Sequence, residues 1–75
     1  MKLSELKVNE TLRVKKISNG QENIKRRLND LGITRGVLIK IKGFAPMGSP
    51  VHLELRGYSL ALEKKFLAYI EGEKL

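Results

Sequence analysis

Seventy-five residues make one domain with a small core, since a chain of this length buries only about 60–65% of its unfolded surface. A hydrophobic content of 41% argues against disorder, no apolar run approaches the about 20 residues of a membrane span, and the absence of cysteine excludes disulfides and thiolate metal sites. The net charge of +7, from 15 Lys and Arg against 8 Asp and Glu, suits nucleic acid, an anionic membrane surface, an acidic protein or simple solubility, and does not choose among them.

Leu3 to Leu6 fits one helical turn with both leucines inward. Val8-Asn9-Glu10 reads as a turn, because Asn tolerates the left-handed region. Thr11 to Ile17 is a half-buried strand in which Leu12 and Val14 alternate with Arg13 and Lys15. Ile17 breaks the alternation, as a bulge would. Ser18 to Glu22 starts a helix, capped either by Asn19 with Glu22 or by Ser18 with Gln21. Ile24, Leu28 and Leu31 then form one apolar stripe, with Lys25, Arg26, Asn29 and Asp30 off it. Gly32 stands where a left-handed residue ends the helix, and Ile33 folds back on the last turn.

Thr34-Arg35-Gly36 leads into a second strand, with Val37, Ile39 and Ile41 inward and Leu38, Lys40 and Lys42 outward. Two prolines and a glycine make FAPMGSP, Phe44 to Pro50, a loop. A third strand follows, with Val51, Leu53 and Leu55 inward and His52, Glu54 and Arg56 outward, and Gly57-Tyr58 turns it. The tail from Ser59 is helical by propensity alone. In context, SLAL is a short strand, EKKFL one helical turn and AYIEG a last strand. That reading is preferred because three strands need more sheet to close a core and protect their edges.

Four segments stand in order along the whole chain: L-x-E-L at Leu3 to Leu6, R-R-L-x-D-L-G-I-T-x-G at Arg26 to Gly36, A-P-M-G-S-P at Ala45 to Pro50, and R-G-Y-S-L-A-L at Arg56 to Leu62. Together they resemble the FeoA family, the small cytoplasmic component of bacterial ferrous iron transport. The same domain type occurs at the C-terminus of some iron- and manganese-responsive repressors. The resemblance implies a mainly β fold, an SH3-like small β-barrel of about five strands with one α-helix inserted after the first. It also implies a cytoplasmic accessory role beside FeoB, a membrane permease whose cytoplasmic part carries a G domain and is the expected partner. Asn9 stands where the family usually has glycine. With no DNA-binding region ahead of the barrel, the repressor role is not expected to carry over, and MKLSELKVNE lacks the apolar segment of a secretory signal. Weak self-association is a further option.

The residues offer little chemistry of their own. His52 is the one histidine, and with Glu54 at i+2 it supplies two ligands, too few for a metal shell. Neither a catalytic constellation nor a phosphate-binding glycine loop is present, so no enzyme, cofactor or resident metal is expected. A small barrel that binds nucleic acid, or a transition-metal regulatory module, is the alternative. Against the former, only Phe44, Tyr58, Phe66 and Tyr69 are available as stacking aromatics. Two features suit a protein partner: the basic residues Lys25, Arg26 and Arg35 beside the helix-to-strand switch, and the loop residues Phe44, Pro46, Met47 and Pro50. Each has a plainer reading. The cations can be a solvated helix face, and Phe44 or Met47 can cap one end of the barrel.

Overall fold

The structure, a computed structural model, describes residues 1–18 and 21–75. A short 3-10 helix, Leu3–Glu5, precedes strand β1 (Thr11–Ile17) and helix α1 (Glu22–Asp30). Strands β2 (Leu38–Phe44), β3 (Val51–Leu55) and β4 (Tyr58–Leu62) follow. A second 3-10 helix, Lys64–Tyr69, leads to β5 (Ile70–Lys74). The strands form one antiparallel sheet in the order β4-β3-β2-β1-β5, the SH3-like barrel with an inserted helix that was expected.

Alternation decides which face is buried. Leu12 and Val14 of β1, Ile39 and Ile41 of β2, and Val51, Leu53 and Leu55 of β3 point inward. Leu3 and Leu6 close the core from below, and Phe66, Leu67 and Ile70 close it from the tail. Asn9 adopts a φ of +73°, the left-handed turn its side chain permits. The bulge falls at Lys15, since Val14 pairs with Gly72 and Lys16 with Glu71. It turns Ile17 back onto the core.

Helix α1 ends as its glycine dictates. Gly32 has a φ of +91°, its N–H donates to Asn29 O at 2.9 Å, and the Ile33 N–H donates to Leu28 O at 2.9 Å. This is the Schellman pairing, and it buries Ile33 completely. Of the predicted stripe only Leu28 is fully buried, while Ile24 and Leu31 are half-buried against the core.

Several boundaries differ from expectation. The Asn19 cap lies outside the described residues. The N-cap is Gln21, without a side-chain hydrogen bond, and Ser18 does not cap but donates its hydroxyl to Glu71. Strand β2 begins at Leu38, because Val37 closes the turn by donating to Thr34 O at 3.1 Å. Phe44 belongs to β2, where it pairs with Val51, and Tyr58 belongs to β4, where it pairs with Leu55. The turn between β3 and β4 is therefore Arg56-Gly57, with φ of +50° and +81°. The second 3-10 helix reaches Tyr69, so the last strand starts at Ile70.

Candidate functional site

The three consecutive cations of α1 do three different things. Lys25 and Asn29 share a helix face at i, i+4 and line a groove against β1. Arg26 lies about 100° further round a helix of 3.6 residues per turn and is exposed on the open face. Arg27 stacks over the Phe66 ring at 5.6 Å, with Lys65 at 5.4 Å from the same ring. The expected cluster of Lys25, Arg26 and Arg35 is thus divided: Lys25 and Arg35 line the groove and Arg26 does not.

The groove has a volume of about 230 Å³. Its walls come from β1 (Val14, Lys16, Ile17), α1 (Lys25, Asn29) and the helix-to-strand switch (Ile33, Thr34, Arg35). Its shape is set by the switch. Gly36, at a φ of +90°, donates its N–H to Val14 O at 2.8 Å, and Val14 donates back to Val37 O at 2.9 Å. The segment is therefore tied to β1 while Arg35 stays exposed beside it. Sequence reasoning missed Asn29 and Thr34 as members of this group, although the i, i+4 spacing from Lys25 to Asn29 was a usable signal.

The second feature is the hairpin between β2 and β3. Ala45 donates to Pro50 O at 3.0 Å and Gly48 donates to Ala45 O at 2.7 Å. Pro46 and Met47 are thus the central residues of a tight turn, with Pro supplying its fixed φ. Ser49 Oγ accepts from the Lys64 N–H at 3.0 Å, which ties the turn to the second 3-10 helix. The Ser49–Pro50 peptide is cis. Met47 is 93% exposed and Phe44 43%, and Pro46 and Pro50 are exposed too. Met47 does not cap the barrel; it stands off it on a braced turn.

His52 and Glu54 are both exposed on β3. Among the described residues no three His, Asp or Glu side chains gather as a metal site, and no helix is long and apolar enough to cross a membrane. Two of the four aromatics, Phe66 and Tyr69, are wholly or partly withdrawn into the core. Two glutamates are held below their ordinary value. Glu10 is lowered by a hydrogen bond from the Lys74 side chain and then by the Lys7 N–H, and Glu71 by the Ser18 hydroxyl.

Known proteins share this arrangement. A FeoA protein from Chlorobium tepidum is 35% identical, covering 100% of this chain and 70% of its own, with a TM-score of 0.88. A FeoA-like protein from Clostridium acetobutylicum is 38% identical over 93% of this chain and 80% of its own, with a TM-score of 0.82. The FeoA of Stenotrophomonas maltophilia, solved with zinc and described as a prokaryotic SH3 domain protein, is 25% identical over 97% of this chain and 89% of its own, with a TM-score of 0.81. Since the family model for the FeoA domain also matches residues 1–74, a span that holds the whole of the sheet, helix and hairpin described above, the chain belongs to the FeoA family.

Proposed function

We propose that the chain is an accessory protein of ferrous iron uptake that acts without catalysis, by docking on the cytoplasmic part of a FeoB-type permease. The observation that carries this reading is the match of the FeoA domain over residues 1–74. The Stenotrophomonas maltophilia relative is described as a candidate ferrous iron transport activating factor. The hairpin tip adds physical support. A braced turn loses little entropy on binding, and the thioether of Met47 adapts to irregular apolar surfaces. Phe44, at the base of the same hairpin, offers a second apolar anchor. The basic helix face, with Arg26 exposed, suits a partner held beneath an anionic inner leaflet.

The test is a pull-down of the permease's cytoplasmic G-domain fragment by the full chain. Retention of the fragment, and its loss with Met47→Ala combined with Phe44→Ala, is the expected result. If the fragment is not retained at any salt concentration, while generic DNA binds with a steep log–log salt slope, the chain is a nucleic-acid-binding barrel instead.

A further inference from the structure

We propose that the groove between β1 and α1 binds a small multivalent oxyanion of the phosphate class. Three cations reach it from three separate parts of the fold: Lys16 from β1, Lys25 from α1 and Arg35 from the switch. Among the described residues no carboxylate lines it. Elsewhere among the described residues lysines meet acids, as in Lys15–Glu73 at 3.1 Å, Lys65–Glu63 at 3.6 Å and Lys74–Glu10. Among the described residues neither Lys25 nor Arg35 has such a partner. Lys16 also acts on Glu71, so its charge is partly engaged.

Lys25 is half-buried against apolar Val14, Ile17 and Ile33. An anion seated in the groove would give these cations a counter-charge that no described side chain supplies there. The neutral groups are set for the same role. Thr34 Oγ1 accepts from Arg56 Nη2 at 3.1 Å, and its own O–H is still available to donate. Asn29 supplies an amide beside it. Two cations, an amide and a hydroxyl offer more donors than one carboxylate can accept, and they match the several oxygens of a phosphate, with Arg as a fork and Lys as a point charge. The volume of about 230 Å³ is below the ~300–1,000 Å³ of sites that enclose drug-sized ligands, which favours a compact anion.

The site shares Lys25 with the face proposed to approach the permease, and testing it on the isolated chain keeps the two readings distinguishable. Free phosphate and the headgroup of an anionic lipid share the chemistry, and two arms separate them. In the first, pyrophosphate is titrated into the 15N-labelled chain and followed by amide shifts, with acetate as the monovalent control. In the second, vesicles of phosphatidylglycerol are compared with vesicles of phosphatidylcholine by co-sedimentation. The expected result in the first arm is saturable shifts centred on Lys25, Asn29, Thr34 and Arg35, absent with acetate. Lys25→Gln and Arg35→Gln should each weaken binding about tenfold, the loss of one charge-assisted contact. Lys65→Gln, whose cation is engaged elsewhere, should leave it unchanged. Sedimentation with anionic vesicles alone, lost in the same two variants, assigns the site to a headgroup. The proposal is overturned if neither arm binds, or if Lys65→Gln weakens binding as much as Lys25→Gln. A spectrum of each variant that overlays the parent away from the groove shows that the fold is kept.

Discussion

The hydroxyl of Tyr58, the first residue of β4, donates to the carbonyl of Leu31, the C-cap of α1. Residues 27 apart in sequence are thus joined at the point where the helix stops. The bond occupies the space beside Gly32, where an added Cβ would meet the Tyr58 hydroxyl. Gly32 is therefore required for its φ of +91°, and any larger residue there must also displace the Tyr58 hydroxyl.

Gly32→Val should accordingly destabilise the fold by roughly 1–3 kcal/mol from backbone strain, with the collision added. Tyr58→Phe alone should cost roughly 0.5–1.5 kcal/mol for the hydrogen bond. The double variant should be more stable than the sum of the two losses predicts, because removing the hydroxyl clears the space the valine needs. Urea unfolding of all four proteins measures the coupling. Additive losses would mean that the Tyr58 hydroxyl does not crowd Gly32.

Leu28→Ala should cost about 2–5 kcal/mol and Leu38→Ala far less. Leu28 is 0% exposed at the centre of the helix stripe, whereas Leu38 is 43% exposed on the outer face of β2. Leu38 borders an open hollow with Lys40, Glu54 and Arg56, so its removal leaves no sealed cavity. Equal losses in a urea titration would show that the outer face of β2 is covered in solution.

Gly72→Ala and Gly43→Ala should separate sharply. An added methyl on Gly72 would stand 2.8 Å from the carbonyl carbon of Arg13 and closer still to its oxygen. Those are backbone atoms of the paired strand β1 and cannot swing aside, so a loss of about 1–3 kcal/mol is expected. Gly43 has nothing within 4 Å of the same position, and its substitution should stay within ~0.5 kcal/mol. Thermal melts suffice. A neutral Gly72→Ala would mean that β5 lies further from β1 than the structure places it.

These residues show what was legible in the sequence. Alternation at Leu12 and Val14, at Ile39 and Ile41, and at Val51, Leu53 and Leu55 gave the strands, because a sheet with one buried face repeats every two residues. Gly32 and Ile33 gave the helix end, because few residues tolerate a left-handed φ. Local composition puts Tyr58 in a turn and Phe44 in a loop, whereas both belong to strands. Their strand membership depends on pairing with Leu55 and Val51, which local composition does not encode. From sequence the basic segment makes one face, with Lys25 and Arg26 together. Its division among groove, solvent and the Phe66 ring follows from helix rotation and from an aromatic 39 residues beyond Arg27, a partner that spacing within the segment cannot indicate.

Stability should fall as the pH drops below the ordinary glutamate range. The Glu10 carboxyl is held low by the Lys74 ammonium and then by the Lys7 N–H, and Glu71 by the Ser18 hydroxyl. A depressed value in the folded state means that the unfolded chain takes up protons first on acidification. The stabilisation is therefore full above the ordinary range and is lost as the pH passes down through the depressed values. Glu10→Gln should flatten part of that acid limb and reduce its sensitivity to salt, since both groups of the Glu10–Lys74 pair are partly exposed. Melting temperature against pH, by circular dichroism, compares the two proteins. Parallel acid limbs would remove Glu10 from the account.

Binding to the permease fragment should divide into approach and hold. Charges at the rim of an interface mainly raise the association rate and make it depend on salt. Apolar anchors mainly slow dissociation. Arg26 is exposed and Lys25 lines the groove, so Lys25→Glu with Arg26→Glu should slow association, with the defect shrinking as salt rises. Met47, 93% exposed on its braced turn, and Phe44 beneath it should act in the other phase. Met47→Ala or Phe44→Ala should speed dissociation with little dependence on salt. Surface plasmon resonance on the immobilised fragment resolves both rates, and the circular dichroism of each variant must match the parent for the comparison to hold. An association rate untouched by the charge reversal at low salt would reduce the basic face to a solubility device. Dissociation like the parent's in both hairpin variants would place the binding surface away from β2 and β3, and the outer hollow around Leu38 and Arg56 would be the next surface to mutate.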